Sequence, residues 1–279
     1  VDAKQISNKE TFHGKLNNYE TAARKKVISS SISMSGTAFP QYLINLLFAN
    51  KQVRLKESIV IIPVVSNDFY QSFNRCKLCF GARFNNKKLT EIEFQNYTKN
   101  NYSRVRNAIL SFSSLSRYLY FNLKIRGISQ QYPFCKIMSD YCINSKNISP
   151  NILDNLTKDY KQKQLDSLLA TNIFLKHISK IRPSKEEKLN TIFLIDGDRQ
   201  HIYDKSIPKD NLFDYQRSYF ISQAKRHGFL VIDLEKVFNR NYKVDGQSFE
   251  FINDGHWNAK AHELIKRSIV SILKLKKVN

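Results

Sequence analysis

Glu57–Phe69 reads ESIVIIPVVSNDF. Its uninterrupted apolar run, Ile59 to Val65, is the pattern of a strand buried on both faces of a parallel sheet, since a strand with one wet face would alternate. Pro63 falls inside the run and would cost a central strand one ladder bond. Asn67 and Asp68 follow at the strand's exit, the end at which parallel α/β sheets gather ligands and reacting groups.

Outward from this strand the chain alternates. Before it, Glu10–Lys25 (ETFHGKLNNYETAARK) is expected to be helical, Lys26–Ser33 (KVISSSIS) is a β-rich run ending in SMSGTA, and FPQYLINLLFAN places Phe39, Tyr42, Leu43, Leu46 and Leu47 on one helical face. Towards the C-terminus come the strand KLNTIFLID and a loop, DGDRQHIYDKSIPKD. A helix through YQRSYFISQAKRHG, closed by Gly228, then leads to the strand FLVIDL, a further loop, and a terminal helix after His256. Strands separated by helices imply an α/β fold with a doubly wound parallel sheet. Residues 73–182 break the alternation: they hold a hairpin pattern (CKLCFGARFNNKKLTEIE) and helical pieces such as RNAILSFSSLSRYLYFNLKI and LDSLLATNIFLKHISKI, and are expected to form an insertion within one domain spanning 1–279.

Length and composition bound the reading. With 279 residues, 42% hydrophobic and 12% aromatic, the chain is globular and able to bury a sizeable core. Its 45 Lys and Arg against 24 Asp and Glu give a net charge of +21. That balance raises nucleic acid or an anionic surface as a partner, but the basic residues are scattered, with KK pairs starting at Lys25, Lys87 and Lys276, and no nucleic-acid-binding motif accompanies them. A solvated basic surface is the preferred reading. No apolar run approaches the length of a membrane span. Cys76, Cys79, Cys135 and Cys142 are read as ordinary half-buried thiols rather than a zinc site, because only the first two have ligand spacing.

Three features fall at strand exits: the SMSGTA segment with Gly36, the SNDF segment with Asn67, and NDGHWN with Asp254 and His256. Taken singly they read as a turn, a loop start and a helix cap. Taken together, a backbone N–H at Gly36, a side-chain amide at Asn67 and an Asp–His pair supply an oxyanion hole and an oriented base, most of an acyl-transfer site.

The same residues resemble the sequence blocks of the SGNH/GDSL hydrolase superfamily. SGTAFPQYLINLL is similar to the Gly block, IVIIPVVSNDF to the Asn block and DGHWNAKAH to the His block, in family order. The resemblance implies a flavodoxin-like, three-layer α/β/α fold with its insertion after the third strand. It further implies a serine esterase or O-acyl hydrolase acting on a carbohydrate or lipid-like ester, with His256 as general base, Asp254 as its orienter, and Gly36 and Asn67 as oxyanion donors. No metal or organic cofactor is implied. Asp254 stands two residues before His256, where many members have three, and Asn253 occupies the three-residue position. The family's nucleophilic Ser belongs to a block that would lie ahead of Val1, so the chain is expected to lack its first strand and, alone, to be inactive. Ser35, and with it Ser33, is the alternative nucleophile. His201 and Trp257 are candidates for substrate contact, although Trp257 also suits packing of its loop, and His262 is read as a surface or packing residue. Acyl transfer to a glycan, a non-catalytic binding relative and a nucleic-acid or anionic-surface binder are the competing readings; compartment and oligomeric state stay open.

Overall fold

The computed structural model describes residues 6–21, 24–32, 37–52, 55–73, 82–85, 92–94, 150–208, 211–252 and 254–277. In chain order these form α1 (Phe12–Leu16), β1 (Tyr19–Glu20), α2 (Phe39–Gln52), β2 (Val60–Val64), α3 (Ser66–Gln71), β3 (Ala82–Phe84), β4 (Ile92–Phe94) and α4 (Pro150–Ile181). There follow α5 (Lys185–Leu189), β5 (Thr191–Ile195), α6 (Arg199–Tyr203), α7 (Asn211–Arg226), β6 (Leu230–Asp233), α8 (Leu234–Asp245), β7 (Glu250–Phe251), β8 (Asp254–Trp257), α9 (Ala259–Leu273) and β9 (Lys276–Lys277). The chain divides into two units, 1–95 with 162–279 and, separately, 96–161; within the second, the described residues 150–161 are helical.

The first unit is a mixed α/β structure around a parallel sheet of order β2–β5–β6. Val60 pairs with Thr191 and Val64 with Ile195; across the other edge of β5, Ile192 pairs with Leu230 and Ile195 with Asp233. All five residues of β5 are buried. Their alternation sends Phe193 and Ile195 into a core with Phe39, Leu43, Phe174 and Phe220, while Ile192 and Leu194 enter a second core with Phe238, Trp257, Ile265 and Ile269. The sheet is thus packed between two sets of helices, which is why its central strand carries no polar alternation. Each large apolar side chain buried this way contributes about 2 kcal/mol. Pro63 lies in β2, which pairs with β5 on one side and has no partner on its other side among the described residues, so its missing N–H breaks no ladder seen there.

Several expectations are corrected. Of the described residues in Glu10–Lys25, only Phe12–Leu16 form an α-helix, with Glu10 closing a short 3-10 turn; the helix ends at the Asn17–Asn18 pair, a residue type that favours turns over helix interiors, and Tyr19–Glu20 pairs antiparallel with Lys276–Lys277. In the β-rich run after it, Lys26 makes a single bridge to Glu20, and Val27–Ile32 form no ladder among the described residues. The loop expected after FLVIDL is helix α8, started by the Asp233 carboxylate accepting from Glu235 N–H at 3.2 Å and ended by Gly246 at φ 64°. The short helix α6 occupies the expected loop DGDRQHIYDKSIPKD, and α5 takes Lys188 and Leu189, the first two residues of the expected strand KLNTIFLID. The hairpin pattern appears as β3 against β4, Phe84 opposite Ile92. Helix 106–125, the four cysteines and Ser33–Gly36 lie outside the described residues.

The amino end of the sheet is closed by one buried arginine. Arg182, 0% exposed at the end of α4, donates to the carbonyls of Leu55, Ser58 (2.9 Å) and Glu187 (3.1 Å) and to Thr191 Oγ1 (3.1 Å). It therefore joins α4, the turn before β2 and the start of β5. Arg182→Ala leaves buried carbonyls unpaired and is expected to cost at least about 3 kcal/mol in urea unfolding. Arg182→Lys should recover less than half of that, because an ammonium cannot reproduce the planar fork; a loss under about 1 kcal/mol for the alanine variant would remove this role.

Candidate functional site

At the carboxyl edge of β5 the chain reads Asp196–Gly197–Asp198–Arg199. Asp196 N–H donates to Val64 O at 3.0 Å, so the exits of β2 and β5 are joined. Gly197 passes so close to α8 that a Cβ there would stand 2.8 Å from Glu235 Cα. Asp198 then caps α6, accepting from His201 N–H at 3.3 Å. This sharp turn opens a cleft of about 230 Å³ lined by Ser66, Asp196, Gly197, Asp198, Arg199, Gln200, Phe213, Glu250 and Gly255.

The cleft joins two of the three segments picked out from sequence. Ser66 begins the helix that follows β2, and Gly255 sits between Asp254 and His256 on β8. The Asp254 carboxylate contacts His256 Nδ1 and also accepts from the His256 backbone N–H at 3.0 Å. That leaves the Nε2 edge of the ring as the one that can exchange a proton with a bound molecule, and the His256 side chain is 49% exposed. Asn67 lies one residue beyond the cleft-lining Ser66, and its amide donates to Gln71 Oε1 at 2.9 Å within α3. Gly36 and Asn253 lie outside the described residues.

Beneath Asn67, Asp68 is fully buried. One carboxylate oxygen accepts from Val65 N–H at 2.9 Å, and Tyr42 Oη lies 3.2 Å from both oxygens. Ser72 Oγ donates to Asp68 O at 2.6 Å. These bonds fix the turn that carries Ser66 and Asn67. Burial pushes the Asp68 carboxyl up to about 7, against the opposing pull of the Val65 N–H and the Tyr42 hydroxyl.

Residues the sequence reading passed over hold the cleft together. Arg199 donates to Glu250 Oε2 at 2.7 Å, to Gly255 O at 2.7 Å and to Asp196 Oδ2 at 3.3 Å. Tyr203 Oη donates to the same Glu250 oxygen at 2.7 Å and accepts from Phe249 N–H at 2.8 Å. Burial raises the Asp196 carboxyl above its ordinary range, while Arg199, the Gly197 N–H, the Trp257 side chain and Arg217 draw it back. Arg217, 4% exposed, donates to Asp196 O at 2.6 Å and pairs with Asp233, and with Glu235 at 2.6 Å. The available signal was position: Asp196 and Arg199 follow a buried strand just as Asn67 does, but in that loop only His201 was singled out.

The two substrate-contact candidates are placed otherwise. Trp257 is 2% exposed and packed in the core beside His262 at 6.0 Å between ring centroids, which leaves no ring face for a ligand. His201 does not line the cleft; its Nδ1 lies 2.8 Å from Ile207 O. His262 is buried, not on the surface: its Nδ1 accepts from Phe12 N–H at 3.3 Å, and burial lowers its pKa to about 4, so it is neutral. Among the described residues, no group of three or more His, Cys, Asp or Glu side chains forms a metal site, and no helix is long and apolar enough to cross a membrane.

No protein-family model, curated protein or solved structure matches the chain. The cleft itself is lined by Gly255 on one side and by Ser66 and Asp196, at the joined exits of β2 and β5, on the other; Asp254 and His256 flank Gly255 without lining it.

Because folding raises the Asp68 carboxyl from 3.8 to about 7, the folded state holds a proton that the unfolded chain has released. Stability contributed at this residue is present below pH 4 and is lost as pH rises towards 7, by on the order of 4 kcal/mol. Asp68→Asn, which keeps shape without charge, should gain that amount relative to the parent between pH 4 and pH 8 in paired urea titrations. A constant difference between the two proteins across this range would contradict a buried protonated carboxyl.

Proposed function

We propose that the protein is an SGNH-type serine hydrolase or acyltransferase acting on an ester of a small molecule or glycan. The observation that carries this reading is the Asp254–His256 contact beside a cleft at the carboxyl edge of a parallel sheet. The parallel order β2–β5–β6 supports it, being the order that the last three strands of a flavodoxin-like 2-1-3-4-5 sheet would have. The cleft lining also favours a polar, uncharged ester over a nucleic acid. Asp196, Asp198 and Glu250 set three carboxylates there against the single guanidinium of Arg199, a balance that repels phosphates.

In this reading a serine hydroxyl attacks the ester carbonyl, and His256 Nε2 takes its proton. Asp254 holds the imidazole in the tautomer that leaves Nε2 free and stabilises the imidazolium. The Asn67 amide and the Gly36 N–H carry the developing oxyanion, the amide turning from Gln71 to do so. The imidazolium then protonates the departing alcohol, and water or a glycan hydroxyl, deprotonated by His256, releases the acyl group. The serine is assigned by resemblance to the block preceding Gly36, with Ser35 as the alternative.

The test is turnover of p-nitrophenyl acetate and of an O-acetylated sugar by the protein as encoded, including any residues ahead of Val1. His256→Gln should lower kcat/KM by roughly 10³-fold or more, Asp254→Asn by a comparable factor, and Asn67→Ala by about 10². Ser35→Ala separates the two nucleophile assignments. Turnover that survives His256→Gln, or no turnover of either ester, would refute the reading.

A further inference from the structure

Both neighbours of His256 are fastened to the same pair of side chains. On one side, Arg199 donates to the carbonyl of Gly255 at 2.7 Å. On the other, Trp257 is 2% exposed in the core, where its side chain favours the ionised carboxyl of Asp196, and Asp196 Oδ1 accepts from Gly197 N–H at 2.9 Å. Asp196 and Arg199 are themselves paired at 3.3 Å, and Arg199 reaches β7 through Glu250 at 2.7 Å. Glu250 is in turn held by Tyr203 at 2.7 Å. The whole set is anchored to the end of β5, the most buried strand of the sheet.

We infer that Asp196 and Arg199 are positioning residues for His256, a two-point clamp that sets the height and angle of the imidazole over the cleft. This rests on the acyl-transfer reading for its catalytic consequence. Physically, β7 and β8 are a short hairpin, two and four residues long, with Ile252 98% exposed at its turn and His256 itself half exposed. A hairpin that small does not hold its shape unaided. The Asp254 carboxylate orients the ring, but it travels on the same hairpin and cannot fix the hairpin's place. That place is set from outside it, by the guanidinium on Gly255 O and by the Asp196 carboxyl with the buried Trp257 side chain. One planar guanidinium serving three acceptors has no substitute in an ammonium. Because misplacement of a reacting group by about 1 Å costs on the order of 10²-fold in rate, the clamp should appear in kcat.

The experiment is a double-mutant cycle on the protein as encoded, with p-nitrophenyl acetate as substrate. Arg199→Ala and the milder Arg199→Lys are measured alone and with His256→Gln, and backbone amide exchange over Phe249–Asn258 is followed by mass spectrometry. The clamp predicts that either Arg199 variant lowers kcat by on the order of 10²-fold with KM nearly unchanged. In the His256→Gln background the same substitutions should change little, and amide exchange in the hairpin should quicken at least tenfold. If KM rises while kcat holds, or if the loss is equal in both backgrounds, Arg199 acts on the substrate or on the whole fold, and the inference is overturned. Unchanged exchange in Arg199→Lys and Arg199→Ala overturns it as well. His256→Gln without effect on turnover defeats the acyl-transfer reading instead, and with it the catalytic role of the clamp, while the exchange measurement still reports whether the clamp exists.

Discussion

Everything in the first unit is referred to Thr191–Ile195, a strand paired on both edges and buried on both faces. Beyond Thr191, whose hydroxyl donates to Glu187 O and accepts from Arg182, the strand is apolar, and its alternation is consumed by two separate cores. The first residues that can be polar are those that leave it. Asp196 is therefore the point at which a rigid hydrophobic scaffold meets water, and the cleft forms there because the chain turns at Gly197 against α8.

Polar groups at that boundary are linked into one network rather than scattered. Asp196 bonds through its N–H to β2, through its carbonyl to Arg217 and through its carboxylate to Arg199. Partly buried charges of this kind persist only when their lone pairs and protons are satisfied, and here each partner brings a different element to the same place. The opposite edge uses the same device: Arg182 gathers three carbonyls, two from the turn before β2 and one from α5. Two buried arginines, Arg182 and Arg217, thus close the two ends of one sheet.

Much of this was legible in the sequence, and the reasons it stopped where it did are physical. The apolar run at Ile192–Ile195, the closing Gly228 and the terminal helix after His256 follow from burial and period, and the structure has them; of the Ile59–Val65 run, β2 takes Val60–Val64 with alternate residues buried, and Ile59 is 41% exposed rather than covered. Helix α8 was missed because its cap, Asp233, is also the last residue of β6, so strand and helix share a boundary without any turn residue between them. The helix expected over Glu10–Lys25 fails because β1 is claimed by β9, some 250 positions away, a contact no local pattern encodes. Asp254 and His256 were visible as a motif. Asp196, Arg199 and Glu250 were not, since their meeting depends on how α6 and a short hairpin fold onto one strand end.

If Asp254 and His256 act on a serine beside this cleft, as proposed, that serine is a strong nucleophile. Labelling by a fluorophosphonate, which reports an activated serine directly, tests it without any assumption about the natural substrate. The protein as encoded should gain the mass of one phosphonyl group, at a rate that falls by roughly 10²-fold or more in His256→Gln. Absence of any adduct, or an adduct forming equally fast without His256, would contradict the account.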